Sequence, residues 1–239
     1  MGLSESQRYW CPMWDARRLA KLLNIWEERW QGSSQKNHDL KIIYYDNALR
    51  ITSGSYTQSK KIEQKNLTSG YWYYQANAVT LEKENPRILI LGFGGGTIGT
   101  LLKQKYPRSI IDGVEIDPVM IELGERFLGL KTEGFNIVNG DAIEFVSQNK
   151  NQYDYICVDL YIEDIVSKEV ETKAFYEKLK ESLTPMGKVS INRIYQRDKG
   201  EEAAYQRYLE LLSEVFSQVK VVSIPNQLVS RNYIFVGKR

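Results

Sequence analysis

The run Ile88-Leu89-Ile90-Leu91-Gly92-Phe93-Gly94-Gly95-Gly96-Thr97 constrains this chain more than any other stretch. An apolar strand enters a G-x-G-x-G turn, and a helix starts at Thr97. Glycine is needed where a backbone turns sharply or lies against a ligand with no side chain between. Alone, the run suits a plain strand-to-helix junction equally well. The pattern of the downstream residues decides.

After Thr97, strands and helices alternate. The pattern predicts strands at 88–91, 109–115, 135–138, 155–159, 187–194, 219–223 and 232–236. It predicts helices at 97–105, 118–128, 142–148, 168–183 and 201–216. Such alternation implies a mostly parallel sheet with helices on both faces. The last two strands are joined by 224–231 without a helical pattern, so they should pair antiparallel. The expectation is an α/β, Rossmann-like, seven-stranded class I methyltransferase sheet with its last strand reversed.

The chain before this region divides further. Leu19, Leu22, Leu23, Trp26 and Trp30 recur at helical spacing, so residues 1–38 read as an amphipathic helix plus a linker at 31–37. That segment packs on its own domain or forms a partner contact. Residues 39–66 read as a small β-sheet domain, with Asp46-Asn47 and Ser53-Gly54 as turns. Residues 67–239 form the main domain, opening with a helix over 67–84 that Pro86 closes.

Composition excludes several classes. A net charge of +2 in 239 residues gives no electrostatic case for nucleic acid. A single histidine, His38, leaves little room for histidine-based metal sites or a Ser-His-Asp triad. No metal is expected. No run reaches the roughly 18 apolar residues of a membrane span, and Arg8, Asp15, Arg17 and Arg18 interrupt any signal peptide. Two cysteines, one in a strand pattern at Cys157, suit a reduced cytoplasmic setting.

Three acids sit at the ends of predicted strands or just beyond. Glu115, in Val114-Glu115-Ile116-Asp117-Pro118, follows Gly92 by 23 residues, near the spacing of a carboxylate that accepts from ribose hydroxyls. Asp141, in Gly140-Asp141-Ala142, suits an adenine amino group, a helix N-cap, or both. Asp159, closing Tyr153–Asp159, is placed to face the acceptor of a transferred group.

Together these motifs resemble the spermidine-synthase-like family, over roughly residues 40–239. The resemblance implies an S-adenosyl-sulfonium donor, either S-adenosylmethionine or its decarboxylated form. It implies that Gly92, Gly94 and Gly96 pass under the nucleoside. Glu115 beside Ile116 would hold the ribose, and Asp141 beside Ala142 the adenine. Asp159 would bind or deprotonate an acceptor amine, and Gln58 would reach the donor's tail. Tyr161 would line the acceptor pocket. The family and the aromatic N-terminus both imply a homodimer.

The chain departs from aminopropyltransferases at three places. Their G-G-G-D-G turn has an acid where this chain has Gly95. Their D-x-x-D pattern meets Ile162, with Glu163 and Asp164 displaced. The tyrosine-histidine-glutamate run becomes Tyr73-Tyr74-Gln75. Methyl transfer to a small molecule is therefore the leading expectation. The rivals are aminopropyl transfer with the decarboxylated donor, a non-catalytic nucleoside-binding partner protein, and NAD binding as the weakest.

Overall fold

The computed structural model describes residues 26–62, 70–161, 168–196, 200–225 and 230–239. Four antiparallel strands come first: β1 (Trp26–Gly32), β2 (Leu40–Tyr45), β3 (Ala48–Ser53) and β4 (Tyr56–Lys60). Helix α1 (Tyr71–Asn77) leads into the main sheet. Its strands are β5 (Arg87–Leu91), β6 (Ile110–Glu115), β7 (Asn136–Asn139), β8 (Tyr153–Val158), β9 (Leu183–Gln196), β10 (Gln218–Ser223) and β11 (Ser230–Lys238). The crossover helices are α2 (Thr97–Lys105), α3 (Pro118–Leu123), α4 (Ala142–Gln148), α5 (Lys173–Glu181) and α6 (Glu201–Val215).

The sheet order is β10-β11-β9-β8-β5-β6-β7. β11 inserts between β9 and β10 and runs antiparallel to both, and the pairs among β5 to β9 are parallel. This is the expected seven-stranded arrangement with its last strand reversed. The central strands are covered on both faces, which is why Ile88–Leu91 is apolar throughout and fully buried. α4, α5 and α6 cover one face through Val146, Leu179 and Leu212. α1 and α2 cover the other through Trp72, Ala76 and Leu102. The small sheet packs Leu40, Ile42 and Ile51 against Met120 and Leu123 of α3.

The N-terminal expectation needs correction. Trp26–Gly32, read as the end of a helix and the start of a linker, is a strand paired antiparallel with β2. The small sheet therefore begins at Trp26, not at residue 39. Trp26 and Trp30 are four apart, a spacing that fits both the helical and the strand repeat. Residues 1–25, with Cys11 and the rest of the expected helix, lie outside the described residues. Within 67–84 only Tyr71–Asn77 is described as helix, and 118–128 divides into α3 and a π-helical turn, Gly124–Leu128. No helix among the described residues is long and apolar enough to cross a membrane.

Away from the glycine turn, Asp112 ties four strands together. It accepts from Tyr153 Oη at 2.8 Å, Arg87 Nη2 at 3.1 Å and Asn136 Nδ2 at 2.8 Å. Asp112→Ala leaves the buried Tyr153 hydroxyl without this acceptor. Unfolding free energy is expected to fall by about 2–3 kcal/mol, read by chemical denaturation.

Candidate active site

The carboxyl ends of β5, β6 and β8 converge on the glycine turn. Gly92, Gly94 and Gly96 all adopt positive φ, at 83°, 55° and 82°. The N–H groups of Gly92 and Phe93 both donate to Val114 O at 3.0 Å, which ties the turn to β6. Much of the demand for glycine comes from the chain itself. A Cβ on Gly92 would lie 2.1 Å from the backbone oxygen of Asp159. One on Gly96 would strike Leu130, and one on Gly95 would lie 2.6 Å from Ile51 Cδ1 and 3.0 Å from Ser59 Cβ. Ile51 and Ser59 come from the small sheet, so that sheet closes directly over the turn.

β4 is bonded to the turn as well as packed on it. Ser59 Oγ accepts from Gly95 N at 2.8 Å, and Lys60 exchanges bonds with Thr97 Oγ1 at 2.9 and 3.0 Å. Gln58 is the residue before this contact, and its backbone oxygen lies 3.9 Å from where a Gly94 Cβ would stand. The sequence points to Gln58 and not to Ser59, whose position beside Gly95 becomes visible only when the two sheets meet.

Glu115 ends β6 with 8% of its surface exposed. Its Oε2 accepts from Gly94 N at 2.7 Å and its Oε1 from Asp117 N at 2.9 Å. A carboxylate has about four acceptor positions, so each oxygen keeps capacity for a further donor such as a ribose hydroxyl. Burial pushes the Glu115 carboxyl up, and the N–H donors of Asp117 and Gly94 oppose it. Ile116 follows at the same strand end. Asp117 is locked by Ser34 Oγ and Asn37 Nδ2 and caps α3 through Val119 N at 3.1 Å.

Asp141 is exposed. Its Oδ1 caps α4, accepting from Ile143 N at 2.7 Å and Glu144 N at 3.2 Å. Oδ2 takes no part in the cap, so the capping and adenine roles are compatible. Ala142 is buried behind it. The cap is tied to the end of β6 because Gly140 N and Asn139 Nδ2 both donate to Glu115 O, at 3.0 and 2.9 Å.

Asp159 follows β8, its N–H bonded to Leu91 O at 2.8 Å. Its Oδ1 accepts from Asn192 Nδ2 at 2.9 Å. Burial lifts its carboxyl to about 6, while Asn192 and the neighbouring Tyr71 hydroxyl favour the charged form. Tyr161 is anchored by its hydroxyl, which donates to Asn192 O at 3.3 Å and accepts from Ile194 N at 2.9 Å. Both bonds tie the segment after β8 to β9. Ile162, Glu163 and Asp164 lie outside the described residues. Burial pushes the nearby Cys157 thiol up to about 12, which makes it a packing residue and not a nucleophile.

A family model of the spermine/spermidine synthase domain matches residues 75–236. The chain belongs to that family. Two relatives carry different activities in their names. A probable polyamine aminopropyl transferase of Bifidobacterium longum is 27% identical over 171 residues, covering 71% of this chain and 38% of that protein. An eEF1A lysine and N-terminal methyltransferase homolog of Drosophila pseudoobscura pseudoobscura is 30% identical over 150 residues, covering 54% of this chain and 22% of that protein. The matched region thus spans well under half of either relative.

Solved structures show the same fold. A probable spermidine synthase from Corynebacterium glutamicum aligns with TM-score 0.71 at 21% identity, covering 89% of this chain and 78% of that one. Human methyltransferase-like protein 13, solved in complex with SAH, aligns with TM-score 0.55 at 25% identity, covering 64% and 71%. This member of the spermine/spermidine synthase family therefore has both aminopropyl transferases and methyltransferases among its relatives.

Proposed function

We propose that the protein transfers the methyl group of S-adenosylmethionine to a small-molecule acceptor beside Asp159. The observation that carries this reading is the environment of Gly95. Where aminopropyltransferases carry an acid in the turn, this chain has glycine, and Ile51 Cδ1 and Ser59 fill the space that a side chain would enter. A carboxylate there would repel the carboxylate of the intact donor. Its absence removes that discrimination. The methyltransferase relatives support the same direction.

When bound, the donor supplies an electrophilic methyl carbon, whose bond to sulfur breaks as an acceptor lone pair attacks, leaving a neutral thioether. The chain's own part is to bind and orient. Glu115 accepts from the ribose through its remaining lone pairs, and Asp141 meets the adenine through Oδ2. Gly92, Gly94 and Gly96 shape the turn beneath, and Gln58 reaches toward the donor's tail. Asp159 orients the acceptor and takes its proton, with Tyr71 and Tyr161 as walls. Work as a homodimer in the cytoplasm belongs to the same reading.

Aminopropyl transfer is the second reading, favoured by the polyamine aminopropyltransferases among the relatives. Calorimetric titration with S-adenosylmethionine and with its decarboxylated form separates the two. The intact donor should bind more tightly to the natural protein. In the double variant Gly95→Asp/Ile51→Ala, which restores the acid and removes its nearest clash, intact-donor affinity should fall about tenfold or more. Tighter binding of the decarboxylated donor by the natural protein overturns the methyl-transfer reading.

A further inference from the structure

Two amides are buried in adjacent strands of the main sheet. Asn192 on β9 is 3% exposed and Asn232 on β11 is 6% exposed. Their strands are adjacent and antiparallel, with Asn192 opposite Ile234 and Asn232 opposite Ile194. The two asparagines therefore project from the same face, on a diagonal. Burying an amide is unfavourable unless its groups are hydrogen-bonded. Here Asn232 Nδ2 donates to Asn192 Oδ1 at 3.2 Å, and Asn192 Nδ2 donates to Asp159 Oδ1 at 2.9 Å.

The direction of these bonds matters. An asparagine amide has a donor end and an acceptor end. With Asn232 donating, the acceptor end of Asn192 is engaged on the β11 side. Its donor end must then face Asp159. A flipped Asn192 would set its oxygen against a carboxylate oxygen and its NH2 against that of Asn232.

We propose that Asn192 and Asn232 are positioning residues: a two-amide relay that fixes Asp159 as a hydrogen-bond acceptor and holds its carboxylate in one orientation. For its effect on turnover, this inference rests on Asp159 being the acceptor-facing acid. The relay itself stands without that assumption.

Asp159 is hydrogen-bonded by the Tyr71 hydroxyl as well as by Asn192. From α1 comes the Tyr71 hydroxyl, from β8 the Cys157 thiol, and from the segment after β8 the Tyr161 hydroxyl. All three are neutral near pH 7, with burial pushing each of them up. The next residue on β9, Arg193, lies over the Tyr208 ring at 4.8 Å and pairs with Glu171, within the opposite layer. Among the described residues no lysine or arginine forms an ion pair with Asp159.

The test is a carboxyl carbon NMR titration of the full chain, with the Asp159 signal assigned by its loss in Asp159→Asn. Three variants are compared with the natural protein: Asn192→Leu, Asn232→Val and Asn232→Ser. Valine suits a buried strand and serine is too short to reach Asn192, so one of the two should retain the fold, as amide spectra will show. Removing the donor to Asp159 in Asn192→Leu should raise the midpoint by about one pH unit. Asn232 Nδ2 donates to Asn192, so the relay predicts an upward shift in a folded Asn232 variant and no further shift when Asn232→Val is added to Asn192→Leu. A midpoint that moves in Asn192→Leu but stays fixed in the folded Asn232 variants overturns the relay. So does a midpoint unmoved in all three.

Activity is a separate readout. The acid limb of the turnover profile should shift with the NMR midpoint if methyl transfer runs through Asp159. A shifted NMR midpoint with no methyl transfer leaves the relay standing and refutes the function assigned to it.

Discussion

Asp159→Asn is expected to lower turnover by about 10²- to 10⁴-fold, the usual contribution of a positioned general base. Donor affinity should stay within about twofold, because the proposed function gives Asp159 the acceptor and Glu115 the donor. The substitution is nearly isosteric. The oxygen of the new amide still accepts from Asn192, so the loss is chemical and not a collapse of the site. The pH dependence supplies a second signature. Burial lifts the Asp159 carboxyl to about 6, so its base form is populated only above that pH. In the natural protein, turnover should therefore climb as pH rises through about 6 and then level. In Asp159→Asn this limb should disappear. Steady-state rates between pH 5 and 8, paired with calorimetry of donor binding, check both parts. Full activity in the variant rules Asp159 out as an essential base.

How far this site can be read in the sequence depends on the kind of contact. The main sheet is legible because its central strands are buried on both faces and therefore form unbroken apolar runs, as at Ile88–Leu91. Helix limits are legible where a cap marks them. α2 starts at Thr97 after the positive-φ Gly96, and α4 starts at Ala142 after the Asp141 cap. Glu115, Asp141 and Asp159 can be found because each closes or follows a strand, and strand ends in an open parallel sheet face the ligand crevice.

Contacts between distant segments are not legible in this way. Ile51 and Ser59 meet Gly95 across 44 and 36 residues, and only the packing of the small sheet brings them there. Asn192 and Asn232 stand 40 residues apart and meet because β11 inserts beside β9. A signal was present: an amide inside Val189-Ser190-Ile191-Asn192 and another before Tyr233-Ile234-Phe235 are out of place in buried strands unless each has a partner. Trp26 and Trp30 fail for a different reason, since a separation of four residues satisfies the helical and strand repeats alike, and pairing with β2 decides between them.

Glu115→Ala should weaken donor binding by about two orders of magnitude or more, since hydrogen bonds to a charged group contribute about 1.5–3 kcal/mol each and the proposed function gives Glu115 two ribose hydroxyls. The complication is that Glu115 also accepts from Gly94 N and Asp117 N, so its removal loosens the turn itself. A drop in affinity alone therefore does not identify a ribose contact. A cycle with a donor lacking the ribose 2′-hydroxyl separates the two effects. The natural protein should bind this analogue more weakly than the complete donor, because one of the carboxylate's donors is gone. Glu115→Ala has already lost the acceptor, so it should bind the two donors about equally. If the variant still discriminates between them as the natural protein does, the ribose is held elsewhere and Glu115 serves only to brace the turn. If it binds the complete donor as tightly as the natural protein, both roles fail. Calorimetry of four protein–ligand pairs, with thermal midpoints recorded beside them, decides among these outcomes.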